Sequence, residues 1–149
     1  MSSIANIDFS DESWTQASLP IRSGGLGIRK ASNISLPCFI SSVLLASSLV
    51  DAILSSVPNL APFKVSTEME LWKTKGQGLD EPEGESVFRQ RAWDTPYIKF
   101  VQNNLLENAD QFSRARLLAS SEPESGSWLS AIPVPSPDEL RIAMALLTG

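Results

Sequence analysis

The stretch Leu36–Val57, LPCFISSVLLASSLVDAILSSV, decides which fold this sequence predicts. Its apolar residues recur at intervals of three and four, which is the period of an α-helix. Every seventh residue from Ser41 to Ser55 is a serine, so these hydroxyls share one helical face. The stretch is long enough to cross a bilayer, but it contains Pro37, Asp51 and three pairs of serines. We therefore predict a long core helix with a small polar face rather than a membrane span.

Start and stop signals predict further helices on either side of this stretch. Ser10 precedes two acids and is a typical N-cap residue for a first helix. Pro20 ends that helix because proline lacks the amide hydrogen. The segment Ser136–Glu139 (SPDE) combines a capping serine, a proline in the first turn and a capping-box glutamate. The alternating pattern of a strand is almost absent. The sequence therefore predicts an all-α fold, a small bundle of five to seven helices with a Gly-rich turn or a minimal β-hairpin near the N-terminus.

The same signals indicate a single helical domain, or a fragment of one, over residues 1–149. Residues 10–75 hold the glycine turn and the long core helix. Residues 76–86 are rich in glycine and acids and predict a surface loop. Residues 87–149 form a second helical half, whose last helix has a strong start and an abrupt end. We therefore expect that last helix to be truncated.

Several local features complete the predicted fold. A helix is predicted to begin near Ser66 or Thr67, where Thr67 with Glu70 fits a capping box. Val87–Trp93 forms a short helix, and a separate helix follows with Pro96 in its first turn. We expect Glu81 to Glu85 to be exposed. The residues expected to be mostly buried are Ile53, Leu54, Trp93, Leu105, Leu118 and Trp128.

The composition narrows the functions that this chain can perform. Its 149 residues include no histidine and one cysteine, Cys38. A Ser-His-Asp triad, a Cys-His pair and histidine metal ligands are therefore excluded, and we predict no cofactor and no bound metal ion. The formal net charge of -5 does not suit a free-standing nucleic-acid binder. The single cysteine and the lack of a signal-peptide pattern favour an intracellular location, in the cytoplasm or the nucleus.

A glycine run in Leu19–Arg29, LPIRSGGLGIR, is the most informative local feature. It is neither a dinucleotide fingerprint nor a Walker motif, because the required spacing and the Gly-Lys-Ser/Thr sequence are missing. We predict two short extended pieces around a tight turn. Cations flank the turn, so exposed backbone amides and basic side chains could meet a polyanion. The alternative is a structural turn with arginines on its surface. The candidate nucleic-acid-binding residues are Arg22, Gly24, Gly25, Gly27, Arg29 and Lys30.

Two stretches of the chain resemble a known family. Trp14–Ser42 is similar to a segment that follows the palm in reverse transcriptases of non-LTR retrotransposons. The match comprises a tryptophan, a Leu-Pro pair, a basic residue, Gly24–Ile28 (GGLGI) and a second Leu-Pro pair, with Cys38 where alanine is usual. Downstream, Arg114–Ala119 (RARLLA) begins a second matching stretch. It continues with Ser125-Gly126, Trp128-Leu129 and Ile132-Pro133.

The resemblance implies a thumb and post-thumb region, whose helices hold the template-primer duplex against the palm of an RNA-directed DNA polymerase. The catalytic aspartates of that family are expected before this segment, and the sequence contains no Asp-Asp pair. We therefore predict that the isolated chain is not catalytic. The alternatives are a helical protein-protein interaction module or an inert retrotransposon-derived relic. The predicted partners are accordingly an RNA or DNA backbone, contacted weakly, or a protein, and no membrane.

Overall fold

The computed structural model of the chain describes residues 10–55, 64–126 and 136–148, and within these ranges it contains six α-helices and no strand. The predicted all-α fold is therefore confirmed. Three short 3-10 helices, at Ile21–Ser23, Gly84–Phe88 and Pro123–Gly126, lie between the α-helices. The α-helices are α1 Asp11–Ala17, α2 Ala31–Leu54, α3 Ser66–Lys75, α4 Gln90–Asn108, α5 Gln111–Ser120 and α6 Pro137–Thr148.

The first and last helices begin where the sequence predicts them. The Ser10 hydroxyl accepts a hydrogen bond from the Ser13 amide at 3.1 Å, which satisfies one of the free amides of the first turn of α1. At α6 the Ser136 amide donates to the Glu139 carboxylate at 2.8 Å, and the Glu139 amide donates back to the Ser136 hydroxyl at 3.3 Å. This reciprocal pair is the predicted capping box.

One predicted cap and one predicted boundary differ from the structure, although α3 begins at Ser66 as predicted. Helix α3 starts at Ser66 behind Val65, a buried residue without a capping side chain, so the box of Thr67 with Glu70 does not form. Burial of the valine, rather than a polar cap, fixes this start. The separate helices predicted around Pro96 are one helix, α4, which continues through the proline. Packing of its first turns on neighbouring elements outweighs the single hydrogen bond that proline removes.

The chain groups into two compact units, one spanning Ala31–Tyr97 and the other formed by residues up to Lys30 and from Ile98 onward. We call them the tryptophan unit and the turn unit. This grouping crosses the boundaries that the sequence predicts, because the halves of the turn unit are far apart in sequence. Helix α4 contributes its first turns to the tryptophan unit and the rest to the turn unit.

The tryptophan unit is built around Trp72 and Trp93, whose rings meet edge to face at 5.1 Å. Both are buried and pack with Ile40 of α2. Their indole N–H groups are also satisfied: Trp72 Nε1 donates to the Trp93 carbonyl at 3.0 Å, and Trp93 Nε1 donates to the Val87 carbonyl at 2.8 Å. The large buried aromatic area and the paired indole N–H groups make this a stabilising contact of the unit. The predicted burial of Trp93 is confirmed.

The acidic loop of the same unit is exposed at Glu83 and Glu85, as predicted. Glu81 instead is half-buried and forms an ion pair with Lys73 at 3.0 Å. The hydrogen bond to Glu81 raises the pKa of the Lys73 ammonium above its ordinary value. The loop is thus attached to α3 at one end.

Helix α2 is a core helix only in its N-terminal half, where Ile40 and Pro37 are buried. Ile53 is 62% exposed, so the prediction of a helix packed along its whole length is wrong. The apolar period fixes where an apolar face lies but not whether another element covers it. By length and composition α2 is also long and apolar enough to cross a membrane, a criterion that core helices of soluble proteins meet as well.

In the turn unit, α6 contacts both α1 and α5, and the 3-10 helix Ile21–Ser23 contacts α5. Leu117 of α5 and Met144 of α6 are buried between these elements. Leu118 is 49% exposed, against the prediction, because it lies one residue beyond Leu117 and therefore on a different side of the helix. Trp128, predicted to be buried, lies outside the described residues.

Candidate nucleic-acid interface

The glycine run forms a compact turn rather than the extended pieces predicted around it. Ile21–Ser23 is a 3-10 helix, and Gly24 ends it in the left-handed region with φ 79°. The Ser23 amide donates to the Pro20 carbonyl at 2.8 Å, and the Gly24 amide donates to the Ile21 carbonyl at 3.0 Å. These local bonds tighten the chain, which is why no hairpin forms at this point.

The glycines allow the turn to lie against the end of α1 and the end of α5. A Cβ on Gly25 would lie 2.1 Å from the Leu19 carbonyl oxygen and 2.5 Å from that of Gln16. Both atoms belong to the backbone and cannot move aside as a side chain could. A Cβ on Gly24 would lie 2.6 Å from the Ser120 hydroxyl, in addition to the strain of its positive φ. Close packing by itself therefore explains why both positions need glycine.

The backbone amides of the turn donate to carbonyls of the chain itself. The Gly25 amide bonds to Pro20 at 3.2 Å, and the Gly27 amide bonds to Leu19 at 2.8 Å. The amides of Leu26 and Ile28 both donate to the Ala17 carbonyl, at 3.1 and 3.2 Å. A phosphate cradle needs amides that point outward. The expectation of exposed amides at this turn is therefore wrong, and an anion would meet side chains only.

A buried network fixes the turn from the other side. The Gly24 carbonyl accepts hydrogen bonds from Gln16 Nε2 at 3.1 Å and from Ser120 Oγ at 3.4 Å. Ser120 and Gly24 are 96 residues apart in sequence. Sequence reasoning missed both Gln16 and Ser120, since no local pattern links residues at that separation. The network holds the basic residues that flank the turn on a fixed backbone.

The three predicted cations lie beside this turn. Arg22 is exposed within the 3-10 helix, whereas Arg29 and Lys30 are half-buried. Lys30 Nζ lies 5.6 Å from the centroid of the Trp14 ring, which is within the range of a cation-π interaction. Trp14 was part of the family resemblance but not of the predicted site. Its position gives it a role in orienting the Lys30 ammonium.

The charge of the chain is unevenly divided between its two units. Residues 31–97 contain eight acids and five cations, whereas the described part of the turn unit contains eight acids and seven cations. The turn unit is therefore close to neutral, and most of the net charge of -5 arises in the tryptophan unit.

A cleft of about 400 Å³ also lies in the turn unit, lined by α1, the end of α4 and α5. Part of its polar lining caps helix ends. The Asp110 carboxylate accepts bonds from the amide and the hydroxyl of Ser113 and from the Phe112 amide, and these bonds hold the pKa of Asp110 below its ordinary value. Asn108 donates to the Asn104 carbonyl at 2.8 Å. This arrangement caps helices and does not pair a nucleophile with a base.

Within the described residues no group of three or more histidine, cysteine, aspartate or glutamate side chains is placed to hold a metal ion. Comparisons of the chain with protein-family models, with curated proteins and with solved structures gave no match. The geometry of the turn and the residues that carry the family resemblance are therefore the features that bear on function.

Proposed function

We propose that this chain is a non-catalytic, thumb-like segment of an RNA-directed DNA polymerase of the non-LTR retrotransposon type, and that it supports template-primer binding in the parent protein. The contact is to the phosphate backbone and is therefore independent of base sequence. The glycine turn has a structural role in this proposal. Arg22, Arg29 and Lys30 provide the charge.

The observation that carries the proposal is the position of three cations within and directly after one hydrogen-bonded turn. The turn is held by hydrogen bonds to α1 and to Ser120 of α5, so the backbone that carries the cations loses little freedom when they meet a ligand. Trp14 further orients Lys30. Such preorganised cations suit a phosphate backbone, whose charges recur at short and regular intervals.

The test is a fluorescence anisotropy titration of a labelled RNA-DNA duplex with the purified chain at low salt. We expect weak binding that disappears as salt rises toward physiological strength, because few phosphates are contacted. The triple variant Arg22→Ala, Arg29→Ala, Lys30→Ala should bind at least tenfold more weakly. Circular dichroism of both proteins checks that the variant is folded.

A matched control variant distinguishes the effect of a local contact on duplex binding from the effect of the total charge. Lys64, Arg89 and Arg91 are exposed cations of the tryptophan unit. Replacing them with alanine changes the net charge by the same three units as the turn variant does. The control variant should bind as the parent does, apart from a small long-range effect. Equal losses in both variants, or no binding by the parent, would overturn the proposal.

The second candidate is a protein-protein interaction module, and a different surface favours it. The C-terminal half of α2 exposes several large apolar side chains, among them Leu45 and Leu49. Contiguous apolar surface on a folded protein is typical of an interaction site. This candidate does not require the basic turn, so the triple variant leaves it unaffected.

A further inference from the structure

The cleft in the turn unit is large enough to hold a small molecule. Its volume of about 400 Å³ falls within the ~300–1,000 Å³ range of ligand sites in proteins. A sphere of that volume is about 9 Å across. Every residue that lines the cleft belongs to the turn unit and lies on or beside α1, the end of α4 and α5. The cleft is therefore formed within one compact unit.

One part of the cleft lining is apolar. Val101 and Leu105 of α4 line the cleft together with Leu117 of α5, which is 3% exposed. Residues four apart share one face of a helix, so Val101 and Leu105 line the same side of the cleft. An apolar surface of this kind binds aliphatic groups, because contact removes them from water.

The charged part of the lining comes from Glu12, Asp110 and Arg116. The Asp110 carboxylate already accepts three hydrogen bonds from the first turn of α5. Among the residues that the structure describes, the Glu12 carboxylate and the Asn104 side-chain amide form no hydrogen bond or ion pair. A guanidinium group carries five N–H donors, so Arg116 can bind a ligand in addition to its contacts within the chain. One acid and one base are thus available to a ligand.

We propose that this cleft binds a free α-amino acid with an aliphatic side chain. Such a molecule carries one carboxylate, which the paired N–H donors of Arg116 hold. It also carries one ammonium group, which donates to the side-chain oxygens of Glu12 and Asn104. With a hydrogen bond of about 2.8 Å at each end, an α-amino acid spans the width of the cleft. Its side chain lies against Leu105 and Leu117.

Other classes of ligand do not match this lining. A simple anion would face the carboxylates of Glu12 and Asp110, and a simple cation would face Arg116. An apolar molecule would cover these charged groups without pairing them, which costs free energy. A peptide terminus supplies only one of the two charges. The cations of the glycine turn do not line the cleft, so this inference goes beyond the proposed function and does not depend on it.

An NMR titration of the isotopically labelled chain with L-leucine tests the proposal. We expect the backbone amide signals of Thr15, Asn104 and Ser113, which line the cleft, to shift saturably. Half-saturation is expected at about 1 mM, because the ligand is small. N-acetyl-leucine lacks the ammonium group and leucinamide lacks the carboxylate. Each should therefore bind at least fivefold more weakly to the unchanged chain, since one charge-assisted hydrogen bond is lost.

Two variants test the contact to the carboxylate. Arg116→Met should weaken leucine binding about tenfold. Arg114→Met is the matched control, because Arg114 is exposed on the same helix and does not line the cleft; it should leave the titration unchanged. Circular dichroism checks that both variants fold, and the two leucine derivatives decide the question if Arg116→Met does not. Shifts that do not saturate, equal binding of leucine and its derivatives, or equal binding by the parent and a folded Arg116→Met variant would each overturn the proposal.

Discussion

Gly25→Ala inserts a methyl group where the glycine turn meets the end of α1. The added Cβ would lie 2.1 Å from the Leu19 carbonyl oxygen, so the turn must move by about 1 Å to reach ordinary contact. Overpacking of this kind costs about 1–3 kcal/mol. The movement also weakens the bonds from Leu26 to Ala17 of α1 and from Gly27 to Leu19, each contributing about 1 kcal/mol. We therefore expect the free energy of unfolding to fall by about 3–5 kcal/mol.

Urea unfolding followed by circular dichroism measures this loss, and Gly78→Ala is the matched control. Unlike Gly25, Gly78 has a positive φ, of 86°, and its Cβ would meet no atom within 4 Å. Its substitution therefore adds backbone strain alone, about 1–2 kcal/mol. If Gly25→Ala lowers the free energy of unfolding no more than Gly78→Ala does, close packing of the turn is not what requires glycine at position 25.

Two further substitutions test other parts of the fold. Trp72→Phe removes the indole N–H and leaves the Trp93 carbonyl without that donor. We therefore expect the free energy of unfolding to fall by about 2–4 kcal/mol in the same urea assay. An unchanged urea midpoint would contradict a stabilising role for this contact. Asp110→Ala removes the cap of α5. The pKa of Asp110 is lower in the folded state than in the unfolded state. The stabilisation that the carboxylate gives to the fold is therefore complete above the unfolded-state pKa and is lost as pH falls through the folded-state pKa. The thermal midpoints of parent and variant should therefore differ at pH 7 and approach each other only as pH falls below about 4. A difference that persists undiminished at low pH would show that capping by the carboxylate is not the cause.

The helical content of the fold follows from local signals. Ser10 and the box of Ser136 with Glu139 mark helix starts correctly, because a cap is made by residues three apart in the sequence. The start of α3 at Ser66 was predicted correctly, but the capping box of Thr67 with Glu70 was not, because the buried residue Val65 occupies the cap position. The burial of Ile53 was also predicted wrongly. Periodicity identifies an apolar face but carries no information on what covers that face.

The candidate site was predictable only in part. The cations around the glycine run are visible in the sequence, and the structure places Arg22, Arg29 and Lys30 beside one turn. The reason for the glycines was not visible, since Gly25 is required by its approach to the carbonyls of Leu19 and Gln16. The outward amides that the glycines suggested are absent from the turn, where each donor bonds to the chain's own carbonyls. The need for glycine and the direction of the amides depend on contacts that form only when the chain is folded.

The salt dependence of duplex binding tests the central claim most directly. If Arg22, Arg29 and Lys30 each neutralise one phosphate, the logarithm of the binding constant falls with the logarithm of salt concentration at a slope of about -2.7. Arg22→Ala alone should reduce the slope to about -1.8, since one contact is lost. A slope near zero, or a slope that the substitution leaves unchanged, would contradict the claim that these cations bind the nucleic-acid backbone.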